Sequence, residues 1–436
     1  MSVAWLAVEE PTVEHSVYSF PFLMVLAYIF VDFGRPQDWV PPLRSLRPGM
    51  IVLGGGILAL LLWRTSSIPK LGKYVLAFLV VMAIGVPFAV NNRMAFNATT
   101  NMALFLFGAV LPIMLFVDSF RKITVLFRFW VGIHVLLALY GIQHGGGGVG
   151  SFLGDQNDFC LAINMVIPYA FFLLFVARSK LERLLLIGSI IIFLLAIVGT
   201  NSRGGFLGLL AVGLSCWLFT PRKVVTTVII LLLCGAFLLA APPSYWQEMN
   251  TIKTSNQEGD TGEQRLYLWG IAWKLFLDDP IWGVGPTNFQ YAGDRYESEE
   301  KKASGLHIWG KVSHSLYLTL LSEEGLVGAI VFLMIMQTAW KDRRTIRGYY
   351  RYHIHSLSGE EEVKLKTLYY LSLAIDISLI GFLVTGAFLT VLYYPHFWLL
   401  TAYSTVLKNE FDRTVQDSET QAVRTGQLSV QAAQTA

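Results

Sequence analysis

The chain has 436 residues, of which 54% are hydrophobic and 14% charged, whereas an ordinary soluble domain carries about 25% charged residues. This composition excludes a soluble enzyme, and at about 20 apolar residues per crossing the length suits one polytopic membrane domain. The net charge of +3, from 33 basic and 30 acidic residues, is too balanced for a nucleic-acid-binding protein. We therefore expect membrane lipids, and no nucleic acid, among the partners.

Apolar runs along the chain predict about twelve membrane-spanning helices and an all-α polytopic membrane protein. Their approximate limits are 16–33, 50–63, 73–90, 102–117, 124–143, 159–176, 183–199, 204–220, 224–241, 314–340, 366–387 and 391–408. The 50–63 run is short and glycine-rich, and only a tight turn near Pro395 separates the last two runs. The count can therefore differ by one or two. We assign residues 1–411 to the membrane domain and predict a disordered cytoplasmic tail over 412–436, which is rich in polar residues and alanine.

Basic residues in short loops predict the orientation, because such loops are retained in the cytoplasm. Clusters near Arg64, Arg121, Arg178, Arg222 and Lys341 alternate with poorly basic loops, which places both termini in the cytoplasm for twelve spans. The first loop breaks this pattern with outward-facing Arg35, Arg44 and Arg47. Either the first span is misassigned or these arginines act at the outer face.

Four segments then face outward: 144–158, 200–205, 242–313 and the turn near Pro395. The segment 242–313 is too long for an ordinary connector, which indicates a function or helices of its own. Within it, GEQRLYLWGIAWKLFLDD has apolar residues at helical spacing and ends near Pro280. This pattern predicts an amphipathic helix lying at the membrane interface.

Three ionisable residues on the outer side form a candidate active site. Arg203 lies at the start of the eighth span, where two glycines and a helix N-terminus favour an anion. Arg265 lies at the start of the amphipathic helix, and His314 lies where the chain re-enters the membrane. Each has a simpler interpretation as a boundary or surface residue. Together, two guanidiniums can bind a diphosphate and a histidine can act as a general base towards an alcohol.

No Asp-x-Asp occurs in an outer loop, so an arginine-bound diphosphate is favoured over a metal-bound one, and we expect no metal site. The three cysteines lie within apolar runs at spacings that match neither a zinc site nor a disulfide framework. We interpret Cys160, Cys216 and Cys234 as packing residues.

The order of several short motifs resembles the O-antigen ligase and polymerase superfamily. These motifs are GDQNDFCLAINM (154–165), SRGG (202–205), EQRLYLW (263–269), GVGPTNF (283–289) and HSLYLTLLSEEGLVG (314–328). The resemblance covers roughly residues 150–330, and the predicted hydropathy agrees with it.

The resemblance implies a glycosyltransferase of the GT-C type in the bacterial inner membrane, with its active site facing the periplasm. The donor would be a glycan on undecaprenyl diphosphate, and transfer would proceed with inversion and without metal, nucleotide or other cofactor. Arg203 and Arg265 would bind the donor diphosphate, and His314 would activate the acceptor hydroxyl. Because the outer segment is of moderate size, we favour an O-antigen ligase with lipid A-core as the acceptor.

Three further residues are weaker candidates for substrate binding. Asn157 would bind donor sugar or form a turn, and Arg35 would contact the donor or acceptor phosphates. Glu324 would orient an arginine or lie at the start of a helix. Asp376 and His134 are intramembrane polar residues, for which we favour structural contacts between spans.

Two alternatives keep the same site and change the acceptor: a polysaccharide polymerase and a protein O-oligosaccharyltransferase. An alternative of another class is a transporter or flippase for lipid-linked sugars, in which Asp376 and His134 would relay protons. A transporter needs polar groups distributed through the bilayer depth, whereas most candidate groups here lie at one face. This distribution favours a transferase.

Overall fold

A computed structural model describes residues 17–63, 67–150, 152–200, 202–228, 231, 235, 261–297 and 308–424. Within these ranges the regular secondary structure is helical and no strand occurs, which confirms the all-α prediction. The α-helices are α1 (Phe20–Ile29), α2 (Pro36–Trp39), α3 (Pro48–Trp63), α4 (Lys70–Gly85), α5 (Asn92–Phe105), α6 (Leu111–Phe116), α7 (Phe120–Gln143), α8 (Gln156–Leu173), α9 (Lys180–Gly199), α10 (Arg203–Phe219), α11 (Thr261–Asp278), α12 (Phe289–Ala292), α13 (Leu316–His353), α14 (Gly359–Gly386) and α15 (Pro395–Arg424).

Several helices have the length and composition of membrane spans. Six stretches in the described part of the chain meet both conditions: Lys70–Phe88, Asn92–Phe116, Phe120–Gln143, Lys180–Gly199, Leu316–His353 and Gly359–Gly386. Three shorter apolar helices are Phe20–Gly34, Pro48–Trp63 and Arg203–Phe219. The protein is therefore a multi-pass membrane protein, but the count of about twelve spans is not confirmed. The predicted span over 224–241 lies largely outside the described residues.

α8 lies at the centre of the bundle, where α7, α9, α10 and α14 pack around it. Nearly every side chain from Asp158 to Leu173 is buried, including the polar Asn164. The Asn164 amide donates to the carbonyl oxygen of Gly205 at 2.8 Å. A Cβ on Gly205 would overlap the Cys160 sulfur, so the glycine permits the close approach of α10 to α8.

The described cysteines are packing residues, as predicted. Cys160 and Cys216 are both buried and free, and Cys234 lies outside the described residues. A similar close contact occurs in the middle of α3, where a Cβ on Gly56 would overlap the carbonyl of Gly108.

A buried cluster of charges connects three helices inside the bundle. Arg343 on α13 donates to the Asp376 carboxylate on α14 at 2.6 Å and to the Ser404 hydroxyl on α15. Arg347 pairs with the second oxygen of Asp376, also at 2.6 Å. Asp376 therefore makes the structural contact between helices that the sequence predicted.

α15 continues to Arg424, whereas the sequence predicted a disordered tail from residue 412. Thr414 is buried, and the Ser418 hydroxyl donates to the Glu361 carboxylate of α14 at 2.6 Å. Because these contacts are polar, the low apolar content of the tail did not indicate them. Residues 425–436 lie outside the described part of the chain.

Candidate active site

The turn between α14 and α15, residues 387–394, contacts the segments that carry the predicted site residues. Its Thr390 hydroxyl accepts a hydrogen bond from the His314 backbone N–H at 2.9 Å. Its Phe388 packs against Trp269, with ring centroids 6.4 Å apart, and lies at van der Waals distance from the position of a Cβ on Gly204. The starts of α10 and α13 and the middle of α11 therefore lie beside this turn.

His314 lies immediately before α13 in a fixed and unusual backbone conformation. Its φ of 48° falls in the left-handed region, which is uncommon for residues other than glycine. The next residue, Ser315, caps α13 by accepting a hydrogen bond from the Leu318 N–H. The hydrogen bond to Thr390 and the helix cap at Ser315 together fix the point from which the half-buried imidazole projects.

Charges from three separate segments act on the His314 ring. Burial lowers the pKa of His314 below its ordinary value, and the positive charges of Arg265 and Lys311 lower it further, whereas Asp155 opposes them. These charges belong to α11, to the loop before α8 and to the segment before α13. A lowered pKa favours the neutral imidazole, the form that can accept a proton.

Arg203 is the first residue of α10 and is half-buried. The preceding Ser202 caps the helix, because its hydroxyl accepts a hydrogen bond from the Gly205 N–H at 3.0 Å. The Ser202 hydroxyl also donates to the Asn157 side-chain oxygen at 2.6 Å. The Arg203 guanidinium thus extends from a helix N-terminus, which itself favours negative charge.

Asn157 connects the starts of α8 and α10. Its backbone N–H and its amide group both donate to the Asp155 carboxylate, at 2.8 and 2.9 Å, while its side-chain oxygen accepts from Ser202. Asp155, rather than Asn157, is the capping residue of α8. These contacts favour a structural role for Asn157 over the binding of donor sugar.

Arg35 lies against the glycine-rich loop that precedes α8. Its φ is 51°, its guanidinium pairs with Asp38 at 2.8 Å, and a Cβ on Gly150 would overlap that guanidinium. In the same loop, a Cβ on Gly146 would overlap the backbone of Gly199. Arg35 therefore packs against this loop, which in turn packs against the end of α9.

Glu324 does not face the site. Its side chain is 1% exposed and lies 2.7 Å from the Tyr393 hydroxyl. The sequence predicted instead either a contact with an arginine or a position at the start of a helix. The apolar surroundings of the SEEG motif did not reveal that a tyrosine 69 residues away in sequence would be its partner.

The sequence analysis did not identify Glu323, which is 4% exposed. Its carboxylate accepts from the N–H groups of Thr287 and Phe289 at 2.8 and 3.1 Å, and Tyr393 donates to it at 2.8 Å. These bonds attach the GVGPTNF segment to α13. Two adjacent acids inside an apolar helix were the available signal, since such residues are costly without partners.

Across the described ranges, no group of three or more His, Cys, Asp or Glu side chains is arranged to hold a metal ion. The independence from metal expected from the sequence stays a prediction, because it concerns the reaction.

One comparison with known protein families gives a match to part of the chain. No curated protein matches the chain. A family model described as O-antigen ligase matches residues 188–333, a stretch that includes Arg203, Arg265, His314 and Glu323. Over residues 188–333 the chain is similar to this family.

Proposed function

We propose that this protein is an O-antigen ligase, which transfers a glycan from undecaprenyl diphosphate to a hydroxyl of lipid A-core. The observation that carries the proposal is the convergence of His314, Arg265 and the start of α10 around the turn 387–394. A general base and cationic groups at one end of a membrane bundle fit a reaction between an alcohol and a lipid diphosphate.

Arg203 and Arg265 would bind the donor diphosphate. A guanidinium can form two parallel charge-assisted hydrogen bonds to phosphate oxygens, and the N-terminus of α10 adds its partial positive charge. The negative charge on the diphosphate grows as its bond to the sugar breaks. Arginines placed beside those oxygens therefore stabilise the transition state more than the bound donor.

His314 would act as the general base. Its neutral ring takes the proton of the acceptor hydroxyl as the hydroxyl oxygen forms a bond to the anomeric carbon. The bond between that carbon and the diphosphate oxygen breaks in the same displacement, so the configuration inverts and the lipid diphosphate leaves as an anion. Because the diphosphate is a good leaving group, the reaction has no strict need for a general acid.

The finer features of the proposal follow from the family resemblance. They are a GT-C fold of about twelve spans, a location in the bacterial inner membrane with the site facing the periplasm, both termini in the cytoplasm, and catalysis without metal or nucleotide. Arg35, beside the glycine-rich loop, would contact the donor or the phosphates of the acceptor.

The contacts of the intramembrane polar groups support a transferase over a transporter. Asp376 is bound by two guanidiniums, and the Nδ1 atom of His134 lies 2.9 Å from the carbonyl oxygen of Trp130 in its own helix. Both groups thus have structural partners, which lessens the case for a proton relay.

The test is transfer by the purified protein in detergent, with undecaprenyl-diphosphate glycan as donor, lipid A-core as acceptor and EDTA present. We expect glycan-bearing lipid A-core. Lengthening of the donor glycan would instead assign a polymerase, and transfer only to a protein acceptor would assign an oligosaccharyltransferase. Donor binding without any bond formation would favour the transporter.

A further inference from the structure

Two adjacent acids in α13 share one tyrosine. The Tyr393 hydroxyl lies 2.8 Å from the Glu323 carboxylate and 2.7 Å from the Glu324 carboxylate. Both glutamates are almost completely buried, at 4% and 1% exposure. The mechanism proposed above uses none of these three groups, and a buried pair of like charges without compensation is very costly.

Counting protons assigns the charge within this cluster. A phenol has one proton and can donate one hydrogen bond of this kind, yet its oxygen lies at bonding distance from two carboxyl groups. Glu323 also accepts two backbone N–H bonds, one at each oxygen, and such donors stabilise the ionised form. The phenol therefore donates its proton to the ionised Glu323. In the contact with Glu324, the phenolic oxygen is then the acceptor, so Glu324 must carry a proton and donate it.

We propose that Glu324 is a neutral carboxylic acid that donates its proton to the Tyr393 oxygen, while Tyr393 donates to the Glu323 carboxylate. The resulting chain of hydrogen bonds satisfies all three groups. Glu323, Tyr393 and Glu324 are thereby positioning residues, because they connect segments that carry the candidate site and the proposed reaction uses none of them.

The cluster holds together three segments that build the site. α13 is interrupted at Gly325, where φ is 62° and ψ is −163°, and the segment 280–285 docks against this break. The N–H groups of Val284 and Gly285 donate to the backbone carbonyl oxygens of Ser322 and Glu323, at 2.8 and 3.0 Å. In the other direction, the N–H of Leu326 donates to the carbonyl oxygen of Pro280 at 2.8 Å. This docking fixes the segment that follows α11, the helix of Arg265.

Tyr393 adds the third segment, because it belongs to the turn 387–394. Three residues earlier in the same turn, Thr390 accepts the His314 backbone N–H. The proton-sharing cluster thus fixes the position of the His314 turn relative to the segment after α11. The effect of the cluster on turnover rests on the function proposed above, whereas the protonation of Glu324 does not.

Infrared spectroscopy of the purified full-length protein tests the protonation directly, without substrate. Matched variants are Glu324→Gln and Glu323→Gln, which change adjacent residues in the same way and retain their volume. The C=O stretching band of a protonated carboxylic acid should be absent from Glu324→Gln and retained in Glu323→Gln. In spectra of wild type minus variant, it should therefore appear for Glu324→Gln and cancel for Glu323→Gln. The band should shift in heavy water.

Loss of this band in Glu323→Gln alone would place the proton on the wrong acid. Its presence in both variants, or its absence from the wild type, would refute the shared proton. Each of these results overturns the proposal whatever reaction the protein catalyses.

Turnover of the glycan donor tests the positioning role. Glutamine mimics a neutral acid, so we expect Glu324→Gln to retain wild-type kcat and KM within about threefold. In Glu323→Gln, an amide NH2 replaces one carboxylate oxygen, so at least one of the groups that donate to Glu323 loses its acceptor. We therefore expect a kcat lower by about tenfold with little change in KM. Equal losses in both variants would contradict the proposal. A wild type inactive with this donor would count against the proposed function, and the infrared result would stand.

Discussion

Removal of the Asp376 carboxylate should destabilise the bundle severely. Asp376 accepts from Arg343 and Arg347 at 2.6 Å each, and the Arg343 side chain is 2% exposed. In Asp376→Ala this guanidinium stays buried without its carboxylate partner and keeps its contact to the Ser404 hydroxyl. An uncompensated buried charge of this kind costs about 3–5 kcal/mol, a large part of the total stability of about 5–15 kcal/mol typical of folded proteins.

The free energy of unfolding can be measured by titrating SDS into detergent micelles and following the helical circular dichroism signal. Glu360→Ala is a matched control on the same helix, because Glu360 is 82% exposed and pairs with Lys364 one turn away. We expect the control to be indistinguishable from the wild type, since exposed ion pairs contribute little.

A second variant separates the lost charge from the lost volume. Combining Asp376→Leu with Arg343→Met and Arg347→Met replaces both ion pairs by apolar side chains and should recover most of the stability, because buried ion pairs are often replaceable in this way. Loss of less than about 1 kcal/mol in Asp376→Ala would refute the reasoning, as would an equal loss in Glu360→Ala or no recovery in the triple variant.

Three further predictions concern the candidate site. Arg203→Lys should lower kcat/KM at least about tenfold, because an ammonium lacks the bidentate fork; a donor-titrated rate equal to that of the wild type would show that charge alone suffices. If neutral His314 is the base, kcat/KM rises with pH through its lowered pKa. Lys311→Gln should then move this acid limb to higher pH and Asp155→Asn to lower pH, and shifts in the reverse sense would contradict the electrostatics. Gly325→Ala should lower the thermal stability, since its φ of 62° disfavours a side chain and a Cβ would overlap the docked backbone; unchanged melting in detergent would refute that docking.

The positions of the three principal site residues followed from the sequence because topology alone determines which helix ends share a face. Arg203, Arg265 and His314 each stand next to the start of an apolar or amphipathic helix, and alternation of basic loops put these starts on one side. The structure brings the three segments together at the turn 387–394. Their roles in catalysis stay predictions.

The details of the site depended on contacts between residues far apart in sequence, which no local pattern specifies. Glu323 and Tyr393 are 70 residues apart, and the phenol could be matched with its acids only in three dimensions. The sequence alone leaves open whether Asn157 binds sugar or forms a turn, and its contact with Ser202, 45 residues away, is visible only in the structure.

The number of spans was difficult to predict because several apolar helices lie near the length and hydropathy of a crossing. α8 has 18 residues and is not among the six stretches that meet both conditions, and it carries the buried polar Asn164, which donates to Gly205. α3 has 16 residues, which is short for a crossing.

The central claim is that His314 acts as a base on a donor held by other residues, so the most direct measurement separates binding from turnover. For His314→Ala, donor affinity should stay within about threefold of the wild type while the transfer rate falls by about two to four orders of magnitude. His355→Ala, an exposed histidine beyond the end of α13, is the matched control and should behave as the wild type. Near-normal transfer in a well-folded His314→Ala protein, or a loss of donor affinity as large as the loss of rate, would contradict the account.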